Sequence, residues 1–258
     1  MKKRFLSLLL CLSLLAGLLM LPVGAYTGHQ LNTADALYQL GLFLGTGTTY
    51  DLDGNLTREQ GITLLIRMLG LEEEAKNGKW THPFTDVSSW ADPYVGCAFY
   101  HKLTDGVSET KFGGELPMTD QMFLTLCLRA LGYADKSAKP DFSYNDVWSF
   151  AKSLGLTSRT GLDDSFTRGE VVEMFWKLLN LPMKGSKQTL AESLIQKGVF
   201  TKQAWEKAKK IQTSGKASSD ASGERDPEPT RPDKPDQPDQ PDVPGGASPY
   251  ETPDMDTP

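Results

Sequence analysis

The stretch Leu56-Thr57-Arg58-Glu59-Gln60-Gly61-Ile62-Thr63-Leu64-Leu65-Ile66-Arg67-Met68-Leu69-Gly70-Leu71 carries a helix start, an apolar face and a helix stop, and it returns twice. The second copy opens on Met118-Thr119-Asp120-Gln121 and closes on Arg129-Ala130-Leu131-Gly132-Tyr133. The third opens on Phe166-Thr167-Arg168-Gly169-Glu170 and closes on Lys177-Leu178-Leu179-Asn180-Leu181. Thr57 with Gln60 and Thr167 with Glu170 have the spacing of a capping box, and Thr119 stands at the same N-cap position. Aligned on the Thr, Ile62, Leu124 and Val172 correspond, as do Leu65, Cys127 and Phe175, then Ile66, Leu128 and Trp176, then Leu69, Leu131 and Leu179. These offsets trace one face of a helix. Arg67, Arg129 and Lys177 place a cation near each C-terminus, where the macrodipole favours it. Gly70, Gly132 and Asn180 follow, residue types that tolerate a left-handed stop.

Upstream of each such helix lies a shorter apolar segment, Ala34 to Leu44, Trp90 to Leu103 and Val147 to Leu156. A helix-loop-helix unit of this size cannot bury its apolar stripe alone, so the repeats must pack together. The expectation is an all-α fold: three helix-loop-helix repeats around a pseudo-threefold bundle of second helices, spanning 26–76, 80–135 and 138–183. Residues 184–212, with Leu190, Leu194, Val199 and Trp205, read as closing helices.

The ends have a different character. Basic Met1-Lys2-Lys3-Arg4 runs into an apolar stretch and then Val23-Gly24-Ala25, which reads as a secretory signal peptide over 1–25, with a retained anchor as the alternative. Cleavage removes Lys2, Lys3 and Arg4, taking the net charge from −6 to −9. Nucleic acid is therefore excluded as the expected partner, and so is a membrane once the signal is cleaved. Cys97 and Cys127 then remain, either as a pair or as two buried thiols. From 213 to 258 the chain turns to Pro-Asp and Pro-Glu pairs, with eleven acidic residues against four basic. Such a segment cannot offset its ordering entropy, and it reads as a disordered spacer, or as a Pro-rich ligand for a partner.

The Thr-Arg-x-Glu opening, together with Phe84-Thr85-Asp86-Val87 followed by Trp90-Ala91, resembles the S-layer homology domains of bacterial surface proteins. Phe166-Thr167-Arg168-Gly169-Glu170 matches the opening fully, and Leu56-Thr57-Arg58-Glu59-Gln60 has Gln for Glu. The second copy departs, with Asp120 at the Arg position and Met122 at the Glu position. The first repeat lacks the Phe-x-Asp-Val segment, and the third has a looser version, Asn145-Asp146-Val147-Trp148. The resemblance implies non-covalent binding of a secondary cell-wall polymer, a peptidoglycan-linked polysaccharide that is often pyruvylated. It implies grooves between repeats, Arg58 and Arg168 on the ketal carboxylate, and Trp90, Asp86, Trp148 and Asp146 on the sugar. It places the protein outside the cell, at the cell wall.

The residues by themselves support part of this. A capping box gives Thr57 and Gln60 a task but leaves Arg58 and Arg168 in a first helical turn, disfavoured by about 0.3–1 kcal/mol by the macrodipole. Either a neighbouring carboxylate pairs with each Arg, or an arriving anion meets the guanidinium and the exposed first-turn amides together. Trp90 and Trp148 either stack on a sugar or plug the junction between repeats, and Asp86 and Asp146 either bond hydroxyls or cap the first helices. Asp51-Leu52-Asp53-Gly54-Asn55 lacks the Gly and Glu positions of a calcium loop and reads as a turn. His29, His82 and His101 show no metal-ligand spacing, and no nucleophile elbow or phosphate loop occurs, so neither an enzyme, nor a metal, nor a cofactor is expected. A module that presents its helical grooves and Pro-rich tail to a protein partner is the alternative function.

Overall fold

The computed structural model describes residues 26–47, 49–161 and 166–214. The signal peptide expected over 1–25 and the tail beyond 214 lie outside the described residues. Within them the protein is all-helical: α1 Gly28–Gln39, α2 Arg58–Met68, α3 Glu72–Asn77, α4 Asp92–Tyr100, α5 Asp120–Ala130, α6 Val147–Ser153, α7 Arg168–Leu179, α8 Leu190–Gln196 and α9 Lys202–Thr213. A single 3-10 turn, Tyr144–Asp146, leads into α6. None of these helices is long and apolar enough to cross a membrane.

The three second helices begin where their Thr residues stand. Thr57 and Thr167 each close a reciprocal box, Gln60 N donating to Thr57 Oγ1 at 3.3 Å and Thr167 N to Glu170 Oε2 at 2.8 Å. Thr119 accepts from Met122 N at 3.2 Å, and the thioether of Met122 returns nothing. Replacing Thr167 with alanine removes the side-chain acceptor of one box, and should cost about 1 kcal/mol of unfolding free energy by urea titration. The inward faces are buried as the periodicity requires: Ile62, Leu65, Ile66, Leu124, Cys127, Leu128, Val172, Phe175 and Leu179 are all nearly inaccessible. Trp176 departs, lying partly exposed beneath Trp205 of α9 at a ring separation of 4.9 Å.

Two local expectations are corrected and a third is extended. The first helix, expected from Ala34 to Leu44, starts at Gly28 because Thr27 and Gln30 form another box, and ends at Gln39. Asn180 stays right-handed at φ −87° and its side-chain amide donates to Trp176 O, whereas Gly70 and Gly132 turn left-handed at φ 68° and 92°. Arg129 does more than meet the dipole: it grips both oxygens of Asp135 at 2.8 Å, Asp105 at 2.8 Å and Leu103 O at 3.0 Å, clasping the loops that flank α5. Burial disfavours the Asp135 carboxylate, but Arg129 outweighs it and holds the group below its usual pKa. Cys97 and Cys127 are both free and buried.

The packing unit is not the sequence unit. α4 lies on α2, α6 on α5 and α1 on α7, so α2, α5 and α7 are each covered by a helix other than the one directly before it in the paired sequence segments. α2 also touches α5, and Phe123 of α5 meets Phe175 of α7 at a ring separation of 5.3 Å. α9 lies over α1, and α8 over α7. Isolated antiparallel bridges, Thr57 with Pro117 and Asn55 with Thr167, tie together the segments that precede the second helices. They bring the starts of α2, α5 and α7 into one region.

Candidate functional site

The first-turn amides of α2 are already satisfied. Arg58 N donates to Leu116 O at 2.9 Å, Glu59 N to Gly114 O at 3.1 Å, and Gln60 N to the Thr57 hydroxyl. At α7, Arg168 N donates to Gly54 O at 2.9 Å and Gly169 N to Leu52 O at 2.8 Å. The residues 51–54 form the expected turn, which here supplies carbonyls to α7. An anion therefore cannot use these amides, and what the site offers it is the arginine side chains.

Both arginines are buried, Arg58 to 7% exposure and Arg168 to 5%. Arg58 Nε donates to Phe112 O at 3.0 Å and its guanidinium lies over the Phe112 ring at 4.9 Å. Arg168 repeats the arrangement, Nε donating to Tyr50 O at 3.0 Å with the guanidinium 5.2 Å from the Phe43 ring centre. Each arginine thus reaches into a loop of another repeat and lies over an aromatic face, a cation–π contact strengthened by desolvation. Arg58 stands in no ion pair among the described residues, so the surface pair that the sequence left open is not formed there. The terminal nitrogens of Arg58 hydrogen-bond nothing among the described residues. Burial pulls its pKa below the usual guanidinium value, against the opposing effects of Tyr144 and Asp86. It remains a cation at neutral pH.

Asp86 does not cap a helix. Its oxygens accept from Phe112 N at 2.7 Å and Gly113 N at 3.0 Å, fixing the turn whose carbonyl holds Arg58. Partial burial opposes its charge, but the two amides and Lys111 outweigh this and keep the carboxyl below its ordinary pKa. Glu59, fully buried beside Arg58, accepts from Ser88 N at 2.8 Å and ties the Asp86 loop to α2. Tyr144, which the sequence did not single out, is 39% exposed and close enough for the Arg58 charge to act on its phenol. Its backbone carbonyl is fixed by Gln121 Nε2 at 2.9 Å. Trp90 is half-buried against the core and its indole N–H makes no hydrogen bond among the described residues. Arg58, Asp86 and Tyr144 come together from three repeats. They can hold an anion on a forked cation beside an exposed aromatic ring.

The second repeat is wired differently. Asp120, at the position of the two arginines, is completely buried and accepts from Trp148 Nε1 at 3.1 Å, Gln121 N at 2.7 Å and Arg159 Nη1 at 3.4 Å. Arg159 also binds Glu170 of α7. The acidic replacement is thus matched by a basic residue from the loop before α7. Trp148, 9% exposed with its N–H committed, plugs this junction. Asp146 caps no backbone amide and accepts from Ser149 Oγ at 2.7 Å.

No family model matches the chain. It is 31% identical over 155 residues to a middle cell wall protein of Brevibacillus brevis, covering 58% of this chain and 14% of that protein. It is 33% identical over 104 residues to a surface layer protein of Brevibacillus choshinensis, covering 39% and 9%. An endoglucanase of a Bacillus species matches at 26% over 169 residues, covering 58% and 18%. The chain thus spans less than a fifth of each relative's length, and what it has in common with cell-wall and surface-layer proteins is one segment of them.

Proposed function

We propose that the chain is a non-enzymatic attachment module of the S-layer homology type, located at the bacterial cell surface, that binds an anionic secondary wall polysaccharide. The single observation that carries this reading is the Arg58 guanidinium. It is buried, fixed through Nε, and has no hydrogen-bond partner among the described residues at its terminal nitrogens. Its terminal nitrogens are not sealed from solvent, so an arriving carboxylate on the polymer could reach them and supply two charge-assisted hydrogen bonds. Tyr144 and Trp90 then offer ring faces to the sugar that bears the carboxylate. Arg168 forms the second site. The Asp120 junction forms none, since Arg159 already neutralises it. In this reading the three repeats close around their second helices, and the similarity to segments of proteins named for the cell wall and the surface layer supports a place at the cell surface.

Sedimentation with purified walls tests this. Binding should fall at least tenfold when acid stripping removes the secondary polymer but leaves peptidoglycan intact. Equal binding to both preparations would reject the polymer as ligand and turn attention to a protein partner.

A further inference from the structure

Each histidine of the protein meets a carboxylate: His29 with Glu173 at 3.2 Å, His82 with Asp92 at 3.1 Å and His101 with Glu74 at 2.8 Å. At His101 alone a thiol joins the pair. Cys97 and His101 stand four residues apart at the end of α4, on one face of the helix, and Glu74 comes from α3, which packs against α4. The Cys97 sulfur, a His101 ring nitrogen and a Glu74 oxygen all lie within 4.8 Å of one another, and no other such trio occurs among the described residues. We propose that Glu74, Cys97 and His101 bind one zinc-class divalent cation at the C-terminus of α4.

Four features of the site fit this assignment, which goes beyond wall attachment and does not depend on it. First, the donor set is right: one sulfur, one imidazole nitrogen and one carboxylate oxygen suit a borderline-soft ion with tetrahedral preference, and a water can take the fourth position. Second, the spacing is close. Bonds of about 2.0–2.3 Å place tetrahedral ligands roughly 3.3–3.8 Å apart, so the His101–Glu74 pair, now at 2.8 Å, opens by about half an ångström while the two close on the sulfur by up to about an ångström. The movable partners can do this, because Glu74 is exposed and the His101 side chain is 32% exposed, while Cys97 is fixed in the core.

Third, the surroundings hold the ring. Trp80 lies 6.4 Å from the His101 ring and Tyr100 5.3 Å from it, edge-on, while the Trp80 N–H donates to Ala75 O at 2.8 Å, coupling the aromatic wall to α3. Lys102 adopts φ 58°, the left-handed stop that glycine provides after α2 and α5, so the chain turns away immediately behind the imidazole. Fourth, the field is favourable, since the C-terminus of a helix attracts positive charge. Without a metal, burial together with Glu74 pushes the Cys97 thiol up to about 12, and coordination releases its proton to solvent. The sequence hid the site because the third ligand comes from a separate helix, so Cys-x-x-x-His was all that stood in one segment.

Cobalt titration of the purified full chain, without a polyhistidine tag and under a non-thiol reductant, tests the proposal. One equivalent should produce a thiolate-to-cobalt charge-transfer band in the near ultraviolet, and added zinc should bleach it. Cys97→Ala should abolish the band, while Glu74→Gln, an exposed change that leaves the core alone, and His101→Asn should each weaken cobalt binding at least tenfold. Cys127→Ala should leave the band unchanged, because no trio of ligating groups among the described residues includes that thiol. Absence of the band, its survival in Cys97→Ala, or unaltered cobalt affinity in Glu74→Gln with native circular dichroism would overturn the assignment.

Discussion

Asp120→Ala should lower the unfolding free energy by about 3 kcal/mol, the lower end of what breaking a buried ion pair costs. Three donors converge on this fully buried carboxylate, from Trp148, Gln121 and Arg159, and alanine leaves all three without their acceptor. The lower end applies because the Arg159 side chain is 27% exposed and water can recover part of its charge. Removing Arg159 as well should therefore cost less than the sum of the single changes, since the two substitutions remove opposite ends of one contact, although Arg159 keeps Glu170 when Asp120 alone is replaced. Asp120→Asn keeps an acceptor for the indole and loses the charge, so it should fall between wild type and alanine. Urea titrations of the wild type and the four variants measure these differences through their midpoints. Additivity of Asp120→Ala and Arg159→Ala would show that the two side chains act independently, and the junction would then lack its internal counter-charge.

The helices were legible because what makes them is local. A Thr N-cap, followed three residues later by Gln or Glu in α2 and α7, an apolar stripe at helical spacing and a glycine or asparagine behind it all lie within about four turns of chain, and α2, α5 and α7 begin at those Thr residues. The start of α1 was missed for a related reason: Thr27-Gly28-His29-Gln30 contains a box, but the segment behind it has little apolar content until Ala34. Which helix packs on which could not be read, since α4 covering α2 and α1 covering α7 depend on the whole chain closing. The site was half legible. Recurrence at aligned positions picked out Arg58 and Arg168, yet their partners, Phe112 O and Tyr50 O, lie 54 and 118 residues away and are backbone atoms, which leave no trace in side-chain patterns. Arg159 was likewise silent because it answers Asp120 from a loop 39 residues on. One signal could have found it: an acidic residue at a position that is otherwise Arg demands a basic partner somewhere if it is buried.

The arginines invite a sharper substitution than alanine. Arg58→Ala would remove the Phe112 contact together with the proposed anion clamp, so that loss of binding and loss of fold would coincide. Arg58→Lys keeps the charge and the aliphatic stem but has no Nε to fix the side chain on Phe112 O and no fork behind it. It should cost about 1–2 kcal/mol, the worth of a charged hydrogen bond partly replaced. Wall binding should nevertheless fall about tenfold or more, and Arg58→Lys with Arg168→Lys should reduce it about a hundredfold if the two sites act together. Asp120→Asn, destabilised to a comparable degree, is the control and should bind walls like wild type, because its junction holds no ligand in this scheme. Sedimentation is run at a temperature where circular dichroism shows every variant folded. Wild-type binding by the double lysine variant would mean that diffuse positive charge suffices and that the fixed, buried fork has no part in recognition. Equal loss in Asp120→Asn would mean that binding follows stability, and the arginines would then be cross-links between repeats and nothing more.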